Sequence, residues 1–253
     1  MTARLEVRSA TTAFGGIVAV DDVSFALSAG ERLAIIGPNG AGKSTLLDGI
    51  AGKTPFTAGC VLLDGAVLPP NQPARHALAG IGRTFQRVEV FASMTVAEHL
   101  LLTLRAAHGS PRLWRDLRRL TRQTAREAEQ IHETLEALGL EREAATVVGR
   151  LGLGSCRRVE VARALIAHPK VLLLDEVSSG LSTAESEALV ATISAVAAQR
   201  QMSVIAIEHD LAVVRAIADR VLVMVQGSVI ADGGFDAVMA DQIVVAAYLG
   251  STA

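Results

Sequence analysis

The segment Gly37-Pro38-Asn39-Gly40-Ala41-Gly42-Lys43-Ser44-Thr45 constrains this chain more than any other stretch. A short apolar run, Leu33 to Ile36, precedes it, and an apolar-rich stretch, Leu46 to Ala51, follows. Strand, glycine-rich loop and helix in that order, with G-x-x-x-x-G-K-[ST] spacing, describe a phosphate-binding loop. Glycines let the backbone wrap close around a phosphate, so that its N–H groups point inward as donors. A helix opening near Lys43 adds the positive end of its dipole. In such a loop Lys43 reaches the β- and γ-phosphates and the Ser44 hydroxyl ligates Mg²⁺. The sequence predicts binding of a nucleoside triphosphate.

The 253 residues, half of them hydrophobic, suffice for one large α/β domain or two small ones. A formal charge of −2 supplies no global basic field, so a nucleic-acid partner is not expected. No uninterrupted apolar run reaches the ~18 residues of a membrane span, and Met1 to Thr12 lacks the apolar core of a signal peptide. Cys60 and Cys156 form no metal-ligand spacing and suit a reducing cytosol. These features point to a soluble cytoplasmic chain.

Val18 to Leu27 alternates apolar and polar residues, as in a half-buried strand, and ends at Ser28-Ala29-Gly30. Cys60 to Val67 has similar character, with Asp64-Gly65 as a turn signal. Both are expected to be antiparallel strands beside the nucleotide. From Thr95 to Leu140 helical spacing dominates, broken at Gly109-Ser110-Pro111. Val171 to Leu174, Val204 to Ile207 and Val221 to Val225 are continuously apolar, which predicts parallel strands buried on both faces. With helical stretches between them, the expectation is one α/β nucleotide core carrying a helical insert near residues 90–150.

Val171 to Leu174 runs directly into Asp175-Glu176. Carboxylates at the C-terminal end of a buried strand lie where an α/β sheet binds ligands. Asp175 is then expected to partner Mg²⁺, directly or through a ligand of the ion, and Glu176 to orient and polarise an attacking water. An acidic pair after a strand can equally be a strand end meeting solvent; the phosphate loop in the same chain favours the functional reading. Ile207-Glu208-His209-Asp210 repeats the pattern. His209 is either an ordinary surface residue or a γ-phosphate contact.

Taken together these residues resemble the ATP-binding subunit of an ABC transporter, across nearly the whole chain. Gly37 to Thr45 is similar to Walker A, Val171 to Glu176 to Walker B and His209 to the switch histidine. Gln86, within Arg83-Thr84-Phe85-Gln86, resembles the glutamine that senses Mg²⁺ and the membrane partner. Ser179-Gly180-Leu181-Ser182 resembles the D-loop, and Phe14 stands where the family stacks an aromatic on adenine. The fold this implies is an α/β P-loop NTPase core with an antiparallel β subdomain and a helical subdomain at about 90–155. Phe14-Gly15-Gly16, the Arg-Thr-Phe-Gln form and the ending Ala247-Tyr248-Leu249-Gly250 look like the branched-chain amino-acid uptake group, which urea and amide importers resemble. A lipopolysaccharide exporter is a neighbouring alternative, and a non-transport ABC ATPase or a silent binding module a more distant one. The resemblance implies ATP and Mg²⁺ as ligands. Its implied partners are permease subunits, a second ATP-binding subunit and, indirectly, a solute-binding protein, at the cytoplasmic face of the membrane.

Two departures stand out. The family signature Leu-Ser-Gly-Gly-Gln is here Leu151-Gly152-Leu153-Gly154-Ser155, so the serine hydroxyl is missing. In the family that serine donates to the γ-phosphate held by the opposite subunit. Gly152 and Gly154 remain the expected nucleotide contacts, since Gly152 keeps its N–H and the helix dipole still points at the phosphate. One charge-assisted hydrogen bond worth ~1.5–3 kcal/mol is nonetheless lost. Val177 stands where the family commonly has proline. Lys43, Asp175, Glu176 and His209 are retained, which predicts two unequal sites in a pair with a different ATPase chain. Finally, six arginines between Arg112 and Arg126 interleave with Leu113, Trp114, Leu117 and Leu120 at helical spacing. That segment is a solvated basic face or a contact for anionic headgroups or a permease loop. Val88 to Met94 is either core or a permease contact.

Overall fold

The computed structural model describes residues 3–84, 93–107 and 123–249. Among the described residues ten strands form two sheets. The smaller is antiparallel, in the order β2-β1-β4-β5, from β1 (Leu5–Phe14), β2 (Ile17–Leu27), β4 (Ala58–Leu63) and β5 (Ala66–Val67). The larger has the order β10-β9-β3-β8-β7-β6, from β3 (Arg32–Ile36), β6 (Ile81–Arg83), β7 (Val171–Asp175), β8 (Ser203–Ile207), β9 (Arg220–Val225) and β10 (Ser228–Gly233). β9, β3, β8, β7 and β6 are parallel, and β10 closes one edge antiparallel to β9.

The continuously apolar runs are the buried strands, for the expected reason. Along β7, Leu172 and Leu174 pack into the core shared with the helices, while Val171 and Leu173 pack into the core under the small sheet. A strand with a core on each face has no solvent side to mark with polar residues. β2 keeps an in-out alternation from Val23 to Leu27, because only one of its faces is covered. Cys60 to Val67 is a hairpin: the Asp64-Gly65 turn separates β4 from β5, whose pairing is Leu62 with Val67 and Leu63 with Ala66.

Nine α-helices accompany the sheets: α1 (Lys43–Ile50), α2 (Pro73–Ala79), α3 (Val96–Ala107), α4 (Ala125–Ala137), α5 (Leu153–Leu165), α6 (Thr183–Arg200), α7 (Leu211–Ile217), α8 (Phe235–Met239) and α9 (Gln242–Leu249) among the described residues. Between Thr95 and Leu140 those residues form helix and no strand, as the apolar spacing predicts. Leu100, Leu104, Ile131 and Leu135 of α3 and α4 pack with Val159 and Leu165 of α5 into one core. A partly buried ion pair, Arg105 to Glu127 at 2.7 Å, ties α3 to the first turn of α4. The break at 109–111 and the arginine-rich stretch up to residue 122 lie outside the described residues.

Candidate functional site

The loop between β3 and α1 is shaped by contacts that only glycine tolerates. Gly37 has φ +147°, and a Cβ there would lie 2.0 Å from the Met224 carbonyl oxygen. Gly42, which caps α1 at φ +95°, would bring a Cβ equally close to the Ala19 carbonyl. Both glycines let the loop sit flush against neighbouring backbone. Lys43 is 5% exposed, and its ammonium donates to the carbonyls of Gly37 (2.7 Å) and Pro38 (2.9 Å). Burial pulls its pKa down, opposed by the carboxylates of Glu176 and Asp175. Ser44 and Thr45 follow in the first turn of α1.

Strand order brings the other groups to this loop. β8 lies between β3 and β7, and Ile207 is in register with both Ile35 and Asp175. Gly37, Glu176 and His209 therefore leave the same edge of the sheet from three adjacent strands. Glu176 adopts φ +52°, unusual for a side-chain-bearing residue. Its N–H donates to the Ile207 carbonyl at 2.9 Å, and this tie holds the turn. Its Oε1 lies 2.8 Å from His209 Nε2. Glu176 and His209 are 24% and 45% exposed, within reach of solvent and ligand.

Asp175, in contrast, is 2% exposed. Its Oδ2 accepts from Arg83 at 3.1 Å, while Oδ1 is buried with no hydrogen-bond partner. Burial pushes its pKa up, and the Arg83 guanidinium works against that. Arg83 also pairs with Asp48 of α1, joining the loop helix to β7. Thr84 closes the junction, its hydroxyl accepting from the Asp175 N–H at 3.2 Å. A buried carboxylate oxygen without a donor fits a divalent cation, and a hard oxygen set of Ser44 hydroxyl, Asp175 and nucleotide phosphates suits Mg²⁺. No cluster of three or more His, Cys, Asp or Glu that could hold a metal ion is found among the described residues.

The remaining predicted residues are Phe14, Gly152, Gly154 and Gln86. Phe14 ends β1 at the Gly15-Gly16 turn and is 53% exposed, so it is not a core residue. Gly152 and Gly154 line a separate cavity of about 590 Å³ with Leu181, Glu185 and Arg158, which none of residues 37–45 borders. Gly152 is the N-cap of α5, with φ −69° and no side-chain cap, and a Cβ there would meet nothing within 4 Å. The Ser155 hydroxyl accepts from Arg158 at 3.0 Å. Val177 is 2% exposed and packs in the helical core. Gln86 lies outside the described residues.

Sequence reasoning passed over Arg83, Ser178 and Glu208. Arg83 was visible only as part of the Arg-Thr-Phe-Gln form, and its partner Asp175 is 92 positions away. Glu208, 2% exposed, accepts from the Ser178 hydroxyl at 2.6 Å and N–H at 3.2 Å. The signal available was a charged residue directly following a fully buried strand.

A phosphate loop, an acidic pair and a histidine on three adjacent parallel strands define a P-loop ATPase. The family model described as ABC transporter matches residues 20–179, and the chain belongs to that family. It is 35% identical over 249 residues to the high-affinity branched-chain amino acid transport ATP-binding protein BraF of Pseudomonas aeruginosa, covering 97% of each chain. Identity to LivG of Escherichia coli, a protein of the same description, is 34% over 251 residues, again covering 97% of each. Among solved structures, a nucleotide-free ATP-binding cassette from an ABC transporter superposes with a TM-score of 0.85 at 28% identity, covering 97% of this chain and 98% of that one. The ADP conformation of an ABC transporter cassette gives the same score and identity over 99% and 100%. The expected fold class is the observed one, and ATP is the nucleotide the fold implies. No helix among the described residues is long and apolar enough to cross a membrane.

Proposed function

We propose that this chain is the ATP-hydrolysing subunit of a membrane importer for branched-chain amino acids, bound to permease subunits at the cytoplasmic membrane face. One observation carries the reading: the likeness to BraF and LivG runs through 97% of both chains. Residues 1–253 form a single ATP-binding domain in this account, with the helical subdomain inserted at about 90–155. Residues Gly37 to Thr45 bind the phosphates, and Phe14 stacks on the adenine. Lys43 exchanges its loop carbonyls for β- and γ-phosphate oxygens. Ser44 and Asp175 would hold Mg²⁺, with Gln86 as a further ligand, and the bound ion would supply neutralisation of charge developing on the phosphates. Glu176 takes a proton from the attacking water, held in orientation by His209.

Gly152 and Gly154 present the helix α5 N-terminus to a nucleotide on the partner chain. ATP on this chain is hydrolysed against the partner's signature, and ATP facing Gly152 turns over more slowly. The permease contact is an apolar cavity of about 570 Å³ between α2, β6, α3 and α5, bordered by Leu78, Ile81, Thr103, Ala106 and Ala164. Arg83 lines it too, three residues before Gln86, so a permease element seated there adjoins the catalytic edge.

Uptake of labelled leucine and of labelled urea, in source cells with and without this chain, tests the proposal. Loss of leucine uptake is the expected result. Unchanged leucine uptake with loss of urea uptake would overturn the solute assignment.

A further inference from the structure

Glu208 and Ser178 stand outside the phosphate loop, the acidic pair and the histidine, yet they are bound into the same edge. Glu208 is 2% exposed at the end of β8, and burial pushes its pKa up against the Ser178 hydrogen bonds. A buried carboxyl is costly unless its oxygens are satisfied. Here one residue satisfies both: the Ser178 N–H donates to Oε1 at 3.2 Å and the Ser178 hydroxyl to Oε2 at 2.6 Å.

The covalent neighbours give this contact its meaning. Ser178 follows Glu176 by two positions and Glu208 precedes His209 by one. Chain, hydrogen bond, chain and hydrogen bond form a closed ring: Glu176-Val177-Ser178, then Glu208-His209, then His209 Nε2 back to Glu176 Oε1 at 2.8 Å. All four polar members border one cavity of about 240 Å³. Glu176 holds a left-handed backbone, φ +52°, that neighbouring contacts must over-determine. The Ile207 carbonyl supplies one such contact, and the Ser178–Glu208 clasp restrains the chain on its other side.

We propose that Ser178 and Glu208 are positioning residues for hydrolysis, which clasp the segment after Glu176 to the His209 segment and so set the Glu176–His209 pair. Neither touches ATP. The inference rests on Glu176 as the water-activating group.

The test is steady-state ATP hydrolysis by the assembled transporter carrying Ser178→Ala, Ser178→Thr, Glu208→Gln or Glu176→Gln in this chain, with melting temperatures alongside. Ser178→Ala should lower kcat about tenfold, as loss of one charge-assisted hydrogen bond implies, with KM for ATP within about twofold. Ser178→Thr restores the hydroxyl and should recover most of the rate. Glu208→Gln, which keeps shape but weakens the clasp, should lower kcat with KM unchanged. A lower melting temperature for Ser178→Ala with unchanged kcat would overturn the proposal in favour of a purely structural clasp. A raised KM at unchanged kcat would overturn it in favour of nucleotide binding. If Glu176→Gln retains full turnover, the Glu176 assignment itself falls, a result distinct from either.

Discussion

At Gly152 the proposed slow site and the fold can be tested apart, because a side chain can be added there without disturbing its surroundings. The glycine sits at the N-cap of α5 in extended conformation, with open space where a Cβ would go. Gly152→Ser should therefore fold as well as the natural chain, since serine is at least as good an N-cap as glycine. The added hydroxyl should speed turnover at the site facing it about tenfold, the equivalent of ~1.5 kcal/mol. Pre-steady-state hydrolysis in the assembled pair reads that site; an unchanged rate would mean the backbone N–H groups suffice. Lys43, Glu176 and His209 were legible because each sits in or beside a local motif. Arg83 and Glu208 were not, because their roles arise from partners 92 and 30 positions away. Nothing in Arg83-Thr84-Phe85-Gln86 by itself says that the arginine spans Asp48 and Asp175.

Between elements, the joint of α3 and α4 gives a pH-dependent prediction. Arg105 and the Thr124 cap hold Glu127 at a pKa of about 2, below the ordinary 4.5. A depressed carboxyl stabilises the fold above its unfolded pKa, and that contribution is lost as pH falls from 4.5 towards 2. Glu127→Gln should thus lower stability by ~1 kcal/mol at pH 7, the scale of a partly buried ion pair plus a cap. In denaturant titrations the gap to the natural chain should narrow below pH 4.5 and close near pH 2. The buried strands were legible from unbroken apolar runs, and the helices from spacing. β1 was not: its register against β2 shifts between Val7 and Ala13, which scrambles the alternation. β6, three residues long, is too short to leave a pattern and exists because β7 offers it an edge.

As a whole, the molecule places its nucleotide chemistry on one sheet edge and an apolar cavity beside it. That arrangement explains why the class of ATPase was readable from the chain, while the solute left no mark on its own residues. In this account no residue of the chain touches the solute; its contacts are with ATP, a second ATPase subunit and the permease. The same separation makes ATP hydrolysis the direct assay. The decisive measurement is Mg²⁺-dependent hydrolysis by the membrane complex that co-purifies with a tagged chain, natural or Glu176→Gln. Loss of a positioned general base should slow hydrolysis about 100-fold or more, with ATP still bound. Hydrolysis undiminished by Glu176→Gln would contradict the account.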